Sequence, residues 1–136
     1  MRNLLIIITM FLTGCASQVE KDHEANSLAL VDEWLQALDN SDMDRAWDLT
    51  SNITKERFEK SRKSKYWLGI RKPMGEIIYR DFQLNWNLTI FKGNIPDGIH
   101  RNIIYWSKYK NRDLAKERFV VTLEDDQWRL IEWYVE

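Results

Sequence analysis

The amino-acid sequence predicts an α+β domain in which N-terminal helices pack on one face of a curved four-stranded antiparallel sheet. Apolar residues recur every three to four positions in the first half of the chain. After Gly75 they alternate with polar residues, and turn sequences divide this half into four segments of strand length. Helices followed by adjacent antiparallel strands are typical of the α+β class, with the helices on one sheet face.

Three helices are predicted before Gly75. The turn at 39–42 separates the first two and supplies an N-cap, while Thr54 is predicted to cap a third helix that ends before Pro73. Their apolar faces carry Leu28, Val31, Trp34, Leu35 and Leu38 in the first, Met43, Ala46 and Trp47 in the second, and Phe58, Trp67 and Leu68 in the third.

Four strands are predicted after Gly75, joined by turns at 94–98, 111–113 and 124–127. The first is the longest, with one apolar phase and one wet phase. Its apolar phase contains Ile78, Phe82, Leu84, Trp86, Leu88 and Ile90, and its wet phase contains Tyr79, Asp81, Gln83, Asn85, Asn87 and Thr89. The other three predicted strands run over 100–110, 114–124 and 128–135.

The start of the chain has the parts of a secretory signal. Arg2 precedes nine uncharged residues, and two small residues then lead to Cys15. The tetrapeptide Leu12-Thr13-Gly14-Cys15 resembles the lipobox of bacterial lipoproteins. In these proteins the cysteine is acylated at its thiol, and after cleavage it becomes the new N-terminal residue. Cys15 is the only cysteine, so it has no partner for an intramolecular disulfide. We therefore predict lipidation at Cys15.

Two other readings of this leader remain. A transmembrane anchor is disfavoured, because nine residues span roughly 13 Å as a helix against a hydrocarbon core of about 30 Å. A cleaved signal without lipid is the second alternative. The predicted organisation is a signal peptide at 1–14, a lipidated tether at 15–26 and one domain at 27–136. Ala16, rather than an aspartate, follows Cys15, which resembles the outer-membrane sorting choice of Gram-negative lipoproteins, so we expect an envelope protein that faces the periplasm.

Charge is uneven along the chain. Residues 19–54 contain nine acidic and two basic side chains, and residues 55–80 contain nine basic and three acidic ones. The simple explanation is an acidic helix beside a basic one, both solvated. The alternative is that the basic stretch lies near anionic headgroups or an acidic partner. A nucleic-acid partner is not expected, because the domain is not basic overall.

Several short motifs occur in a characteristic order. They are Trp34-Leu35, Leu38-Asp39, Trp47-Asp48, Arg71-Lys72-Pro73-Met74-Gly75, Arg80, Pro96-Asp97-Gly98, Tyr109, Asn111, Glu117, Trp128-Arg129 and Trp133. Together they resemble a bacterial family, domain of unknown function 4019, over roughly residues 28–135. The stretch 58–71 departs from that family by about one extra helical turn. The family has no established activity.

The resemblance implies a place in the nuclear-transport-factor-2-like (cystatin-like) superfamily, where a curved sheet and helices enclose a cone-shaped pocket. Isomerases, dehydratases, binding modules and dimerisation domains share that fold. The fold therefore does not choose among functions.

Arg80 and Glu117 are the leading candidates for a polar site. Arg80 shares the apolar phase of its strand with Phe82, and Glu117 shares that of the third strand with Phe119. A buried charge without a partner costs several kcal/mol. Three arrangements remain open: both side chains reach water at the rim of the sheet, they form a structural salt bridge, or they contact a ligand.

Other catalytic or metal-binding residues have little support. His100 follows a turn glycine and is expected at a strand end in water, and Asp81 lies on the wet phase of the first strand. Neither a Cys/His cluster at ligand spacing, nor a nucleophilic serine elbow, nor a glycine-rich phosphate loop occurs. No cofactor, no metal and no catalytic residue is predicted.

Seven tryptophans suggest a core, a pocket or an interface. Trp34, Trp47, Trp86 and Trp128 are expected in the core, although tryptophan also lines ligand pockets. Ile104 and Trp106 oppose Ile103 and Tyr105 on the second strand, and Ile131 and Trp133 oppose Leu130 and Tyr134 on the fourth. Both sheet faces are therefore apolar there, which predicts a homodimer or another envelope protein on the face without helices.

Three classes of function remain. The preferred one is a non-enzymatic, lipid-anchored envelope protein that binds a protein partner or a small apolar ligand. The alternatives are a cone-pocket enzyme with isomerase- or dehydratase-like acid–base chemistry, and a purely structural dimerisation module. The candidate pocket or interface residues are Trp34, Trp47, Arg80, Trp106, Tyr109, Glu117 and Trp133.

Overall fold

A computed structural model describes the protein at residues 5–88 and 95–136, with side chains at 14–88 and 95–136. Within these residues four helices precede four strands. They are α1 (Leu5–Asp39), α2 (Met43–Asp48), α3 (Asn52–Lys55), α4 (Lys60–Met74), β1 (Ile77–Asn87), β2 (His100–Tyr109), β3 (Arg112–Glu124) and β4 (Gln127–Val135). The strands form one antiparallel sheet in the order β1-β2-β3-β4. The predicted α+β class and the four-stranded antiparallel sheet are confirmed.

The long first helix, α1, includes the segment that the sequence analysis interprets as a tether. It contacts the sheet already at Glu20, whose carboxylate accepts a hydrogen bond from Arg101. The predicted domain boundary at residue 27 therefore lies inside the helix. Among the described residues, no helix has both the length and the apolar composition that crossing a bilayer requires.

Helix α1 runs alongside β2 in the same direction. Glu20 contacts Arg101 near the start of β2, and Asp32 accepts a hydrogen bond from Tyr105 in the middle at 3.2 Å. Asp39, the last residue of α1, lies near the end of β2. Glu20 of α1 thus lies at the end of the sheet where β2 begins and the β3–β4 hairpin lies.

The predicted third helix is partly wrong, because α3 and α4 are separate helices: Trp67 and Leu68 do lie in α4, but α4 continues through Pro73 to Met74. Ser51, not Thr54, caps α3 by accepting a hydrogen bond from the Ile53 amide. The Thr54 hydroxyl instead donates to the Ile131 carbonyl at 2.6 Å, which attaches α3 to β4. Phe58, expected in the core, lies exposed in the segment between the two helices.

The core lies between the helices and the inner face of the sheet, which is the face that the helices cover. Trp34 is fully buried at its centre. Its ring meets Trp67 edge-on at 5.3 Å, Trp133 at 5.5 Å and Phe119 at 6.2 Å between centroids. Aromatic pairs of this kind contribute about 0.5–1.5 kcal/mol each beyond the area they bury.

Two irregularities in β1 shift the faces of its side chains. They fall between Ile77 and Tyr79 and between Phe82 and Leu84. After the second one, Leu84 and Trp86 point to the outer face, away from the helices, beside Ile104 and Asn102 of β2. The single apolar phase predicted for this strand is therefore wrong, and so is the core position of Trp86, which is 37% exposed.

Candidate functional site

Four charged side chains meet between the helices and the inner sheet face, and we call Asp39, Arg71, Arg80 and Glu117 the charged cluster. Arg80 donates to both carboxylate oxygens of Asp39, at 2.8 Å through Nη1 and 3.0 Å through Nη2. Its Nε lies 3.2 Å from Glu117 Oε1. Arg71 Nε donates to Asp39 Oδ1 at 2.7 Å. One carboxylate therefore joins both guanidinium groups.

Glu117 is fully buried, and both of its carboxylate oxygens are occupied. The Tyr109 hydroxyl donates to Oε1 at 2.7 Å, and the Trp133 indole N–H donates to Oε2 at 2.9 Å. Tyr109 in turn accepts a hydrogen bond from Arg80 Nη2 at 2.9 Å. The charged cluster thus continues into a fully hydrogen-bonded network around Glu117.

Local chain geometry brings these groups together from four elements. Asp39 ends α1, Arg71 is in the last turn of α4, Arg80 is in β1 and Glu117 is in β3. Gly75 ends α4 with a φ of 78°, and its carbonyl accepts from Arg71 Nη1 at 2.5 Å. A Cβ at Gly75 would lie 2.9 Å from the Asn111 amide, so the position accepts only glycine without rearrangement.

The network shifts the pKa values of Asp39, Arg80 and Tyr109. Burial alone would raise the pKa of Asp39, but hydrogen bonds from Arg80 and Arg71 outweigh it and hold the pKa below its usual value. Burial alone would lower the pKa of Arg80, but the hydrogen bond to Asp39 and the charge of Glu117 raise it. Burial and Glu117 raise the pKa of Tyr109. Both shifted ionic groups are held in their charged forms.

The charged cluster has the chemistry of an internal salt-bridge network. Two acids and two bases neutralise one another, and each oxygen of Glu117 already accepts a hydrogen bond. Of the three arrangements open for Arg80 and Glu117, the geometry contains the salt bridge. A proton-transfer role needs a group within hydrogen-bond reach of a substrate, and partners from this chain occupy these positions.

The outer face of the sheet has the opposite character, because large apolar side chains lie on it and, among the described residues, no helix packs above them. Those with substantial exposure are Tyr79, Leu84, Trp86, Trp106 and Tyr134. Trp106 is 36% exposed and lies between Asp81 of β1 and Lys116 of β3. This row places an acid, an aromatic ring and a base side by side across three strands.

A groove of about 800 Å³ lies between α1 and the β3–β4 hairpin. None of the seven candidate pocket or interface residues lines it. Its walls are mostly polar or charged, including Asp22, Glu33, Arg45 and Arg129, which does not fit the predicted small apolar ligand.

The remaining predicted residues are scattered. Trp34 and Trp133 are fully buried, and Trp47 is partly buried with its ring 6.5 Å from that of Trp67. Cys15 is exposed on α1. His100 was expected in water, but it is buried with Nε2 2.9 Å from the Pro96 carbonyl oxygen. The described residues contain no group of three or more side chains able to hold a metal ion.

Sequence reasoning paired Arg80 with Glu117 but missed Asp39 and Arg71 as their partners. Both missed residues lie on helices, where no strand phase marks them as inward-facing. Their presence in the family motifs was the available signal. Arg101 was also missed, although its side chain is among the most deeply buried in the described chain.

Comparison with known proteins places the chain in a family. No curated protein and no solved structure is similar enough to be matched. A family model described as "Protein of unknown function (DUF4019)" does match, over residues 30–133, a range that includes the whole charged cluster. Because this range covers well over half of the 136 residues, the chain belongs to the DUF4019 family.

Proposed function

We propose that this chain is a non-enzymatic, lipid-anchored protein of the bacterial cell envelope that works by docking through the outer face of its sheet. The observation that carries the proposal is the exposure of Trp86, Trp106 and their neighbours on a face that none of the four described helices covers. Contiguous exposed aromatic surface is typical of protein interfaces. The lipobox-like sequence at Cys15 supports the anchor, and Ala16 supports the outer membrane.

The fold we propose is the cone of the nuclear-transport-factor-2-like superfamily, with its interior filled. A long N-terminal helix, shorter helices and a bulged four-stranded sheet support this assignment. Trp34, Trp67 and Trp133 occupy the space that a ligand would need. A filled interior disfavours the cone-pocket enzyme, as do the buried position of His100 and the outer-face position of Asp81.

We propose a second copy of the chain as the occupant of the outer face, because the row of Asp81, Trp106 and Lys116 is complementary to itself. A two-fold axis parallel to the strands and above Trp106 places Asp81 of each copy opposite Lys116 of the other. Neighbouring strands are about 4.8 Å apart and stacked sheets about 10 Å apart, so the lysine side chain reaches the carboxylate. Lys116 already pairs with Glu136 of its own chain, but this ion pair is exposed. Lys116 can therefore leave Glu136 for Asp81 of the second copy at little cost in free energy.

Charge reversal on the full chain tests this dimer. Native mass spectrometry from detergent is expected to show a dimer for the wild type and a monomer for Asp81→Lys and for Lys116→Asp. The double variant, which restores the pair in reverse, is expected to dimerise again. Asp113→Lys is the control, because Asp113 is an exposed acid outside the row. A monomeric wild type, or a double variant that stays monomeric, contradicts the proposal.

The anchor is tested separately by metabolic labelling with palmitate. Label is expected in the wild-type chain and absent from Cys15→Ser, which removes the only thiol. A wild-type chain without label excludes the lipid anchor but leaves the dimer test unaffected.

A further inference from the structure

We infer that Arg101 fixes the N-terminal part of α1 on the sheet as a rigid support, so that residues 95–99, just before β2, and the β3–β4 hairpin face the lipid bilayer at short distance. This inference rests on the lipid anchor at Cys15 proposed above. The proposed interaction surface of the domain is the end of the sheet where β2 begins and β3 ends. The proposed partner is a zwitterionic phospholipid surface.

The Arg101 side chain is the centre of this support. It is only 2% exposed, and its Nη1 donates to Glu20 Oε1 at 2.7 Å. Nε donates to Asn85 Oδ1 at 2.5 Å, and Nη1 also donates to Asn87 Oδ1 at 3.0 Å. The hydrogen bond from Arg101 also lowers the pKa of Glu20. Because a buried guanidinium needs a charged partner, Arg101 holds Glu20 against the sheet.

A second set of contacts holds the next helical turns. Asn85 Nδ2 donates to the Glu24 carbonyl at 3.3 Å and to Ser27 Oγ at 3.0 Å. The His23 ring meets Trp128 of β4 edge-on, with centroids 5.6 Å apart. The segment predicted as a tether is therefore attached to β1, β2 and β4, and we infer that it does not act as a flexible linker.

This attachment orients the domain. Cys15 precedes Glu20 by five residues, or about 7.5 Å of helix, so an acylated Cys15 holds this end of the sheet close to the headgroups. The β2–β3 hairpin lies at the opposite end, about 33 Å away over the ten residues of β2. The strands then stand roughly along the membrane normal.

The charge of the membrane-facing end selects the lipid. The described residues of the two segments there include Asp97, Asp125 and Asp126. Acidic groups this close to an anionic bilayer are repelled, and a zwitterionic surface avoids that repulsion. The orientation is therefore expected in phosphatidylcholine and weaker when anionic lipid is added.

Site-directed labelling of the full lipidated chain tests the orientation. Acylation occupies the thiol of Cys15, so a single introduced cysteine takes all of the label. We choose Gln127→Cys at the β3–β4 hairpin and Asp113→Cys at the opposite end, both exposed. The readout is quenching of a fluorescent label by headgroup quenchers in phosphatidylcholine vesicles.

Quenching at position 127 is expected to exceed that at position 113 several-fold. Adding Arg101→Ala to each variant is expected to reduce this difference, because the helix is released from the sheet. Equal quenching at both positions, or more at 113, overturns the inference. If Arg101→Ala does not fold, Glu20→Ala is used in its place. This variant removes the same ion pair by changing its exposed partner, Glu20. Failure of lipidation is distinguishable from failure of the orientation. A chain that is not lipidated does not float with the vesicles, and its mass lacks the acyl groups.

Discussion

The inner and outer faces of the sheet use similar residues for opposite purposes. On the inner face, Arg80 and Trp133 both donate hydrogen bonds to Glu117, and Glu117 and Trp133 are fully buried. On the outer face, Asp81, Trp106 and Lys116 lie in one row, yet the aromatic ring remains partly in water. The comparison indicates that charged and aromatic side chains mark a candidate interaction surface where they stay accessible to solvent, even when one of them, such as Lys116, already has an exposed partner in the same chain.

The largest expected effect separates two tryptophans on opposite faces. Trp133→Ala is expected to lower the free energy of unfolding by about 4 kcal/mol, because it opens a cavity and removes a hydrogen bond to buried Glu117. Trp86→Ala is expected to cost about half as much, because this side chain on the outer face is already 37% exposed. Urea unfolding by circular dichroism measures both, and similar losses would remove the distinction between the faces.

The next effect concerns buried charge. Glu117→Gln keeps the shape but removes the negative charge that Arg80 faces, and is expected to cost about 3 kcal/mol. The control is Glu136→Gln, which breaks the exposed pair with Lys116 and is expected to cost less than about 1 kcal/mol. Chemical unfolding of the two variants measures both losses. If Glu117→Gln leaves the free energy of unfolding unchanged, the network contributes little to stability.

A smaller effect distinguishes two tyrosines. Tyr109→Phe removes the hydroxyl between Arg80 and Glu117 and is expected to cost about 1.5 kcal/mol. Tyr134→Phe changes an exposed hydroxyl on the outer face and is expected to cost less than about 0.5 kcal/mol. Thermal unfolding at one protein concentration compares them. Equal midpoints for the two variants would contradict this prediction.

The smallest effect is confined to acid. The folded-state pKa of Asp39 is depressed, so its stabilising contribution is complete above the unfolded pKa of about 3.9 and is lost as pH falls through the folded value. Wild-type stability is therefore expected to fall more steeply below about pH 4 than that of Asp39→Asn. Urea midpoints between neutral pH and pH 2.5 measure the slopes. Parallel curves would exclude Asp39 as the responsible group.

Periodicity predicted most of the fold. The four strands begin and end within two residues of their predicted bounds wherever those bounds lie in the described chain, because turn residues mark them. Leu88 is described but lies beyond the end of β1. Ile90, Thr89 and the first residue of the 94–98 turn lie outside the described residues. The alternation in β1 failed because a bulge changes side-chain phase without leaving a mark in hydrophobicity.

The helix predicted from Thr54 failed for a tertiary reason. The Ser51 amide donates to the Leu130 carbonyl and the Thr54 hydroxyl donates to that of Ile131, so α3 is attached to β4 at its N-cap and at Thr54. Local propensity does not contain this information. The same limit applies to the candidate site, since Asp39 and Arg80 are distant in sequence and only the folded chain brings them together.

The balance of the charged cluster constrains how this sequence can drift. Replacing Arg71 or Arg80 alone leaves a carboxylate with less compensation in a poorly hydrated interior, and replacing Asp39 alone leaves two neighbouring cations facing each other. Divergence at these positions is therefore expected to favour paired exchanges, or loss of the whole set, over single replacements. We expect homologues to vary there as a block, with an apolar residue at 39 accompanied by the loss of at least one arginine.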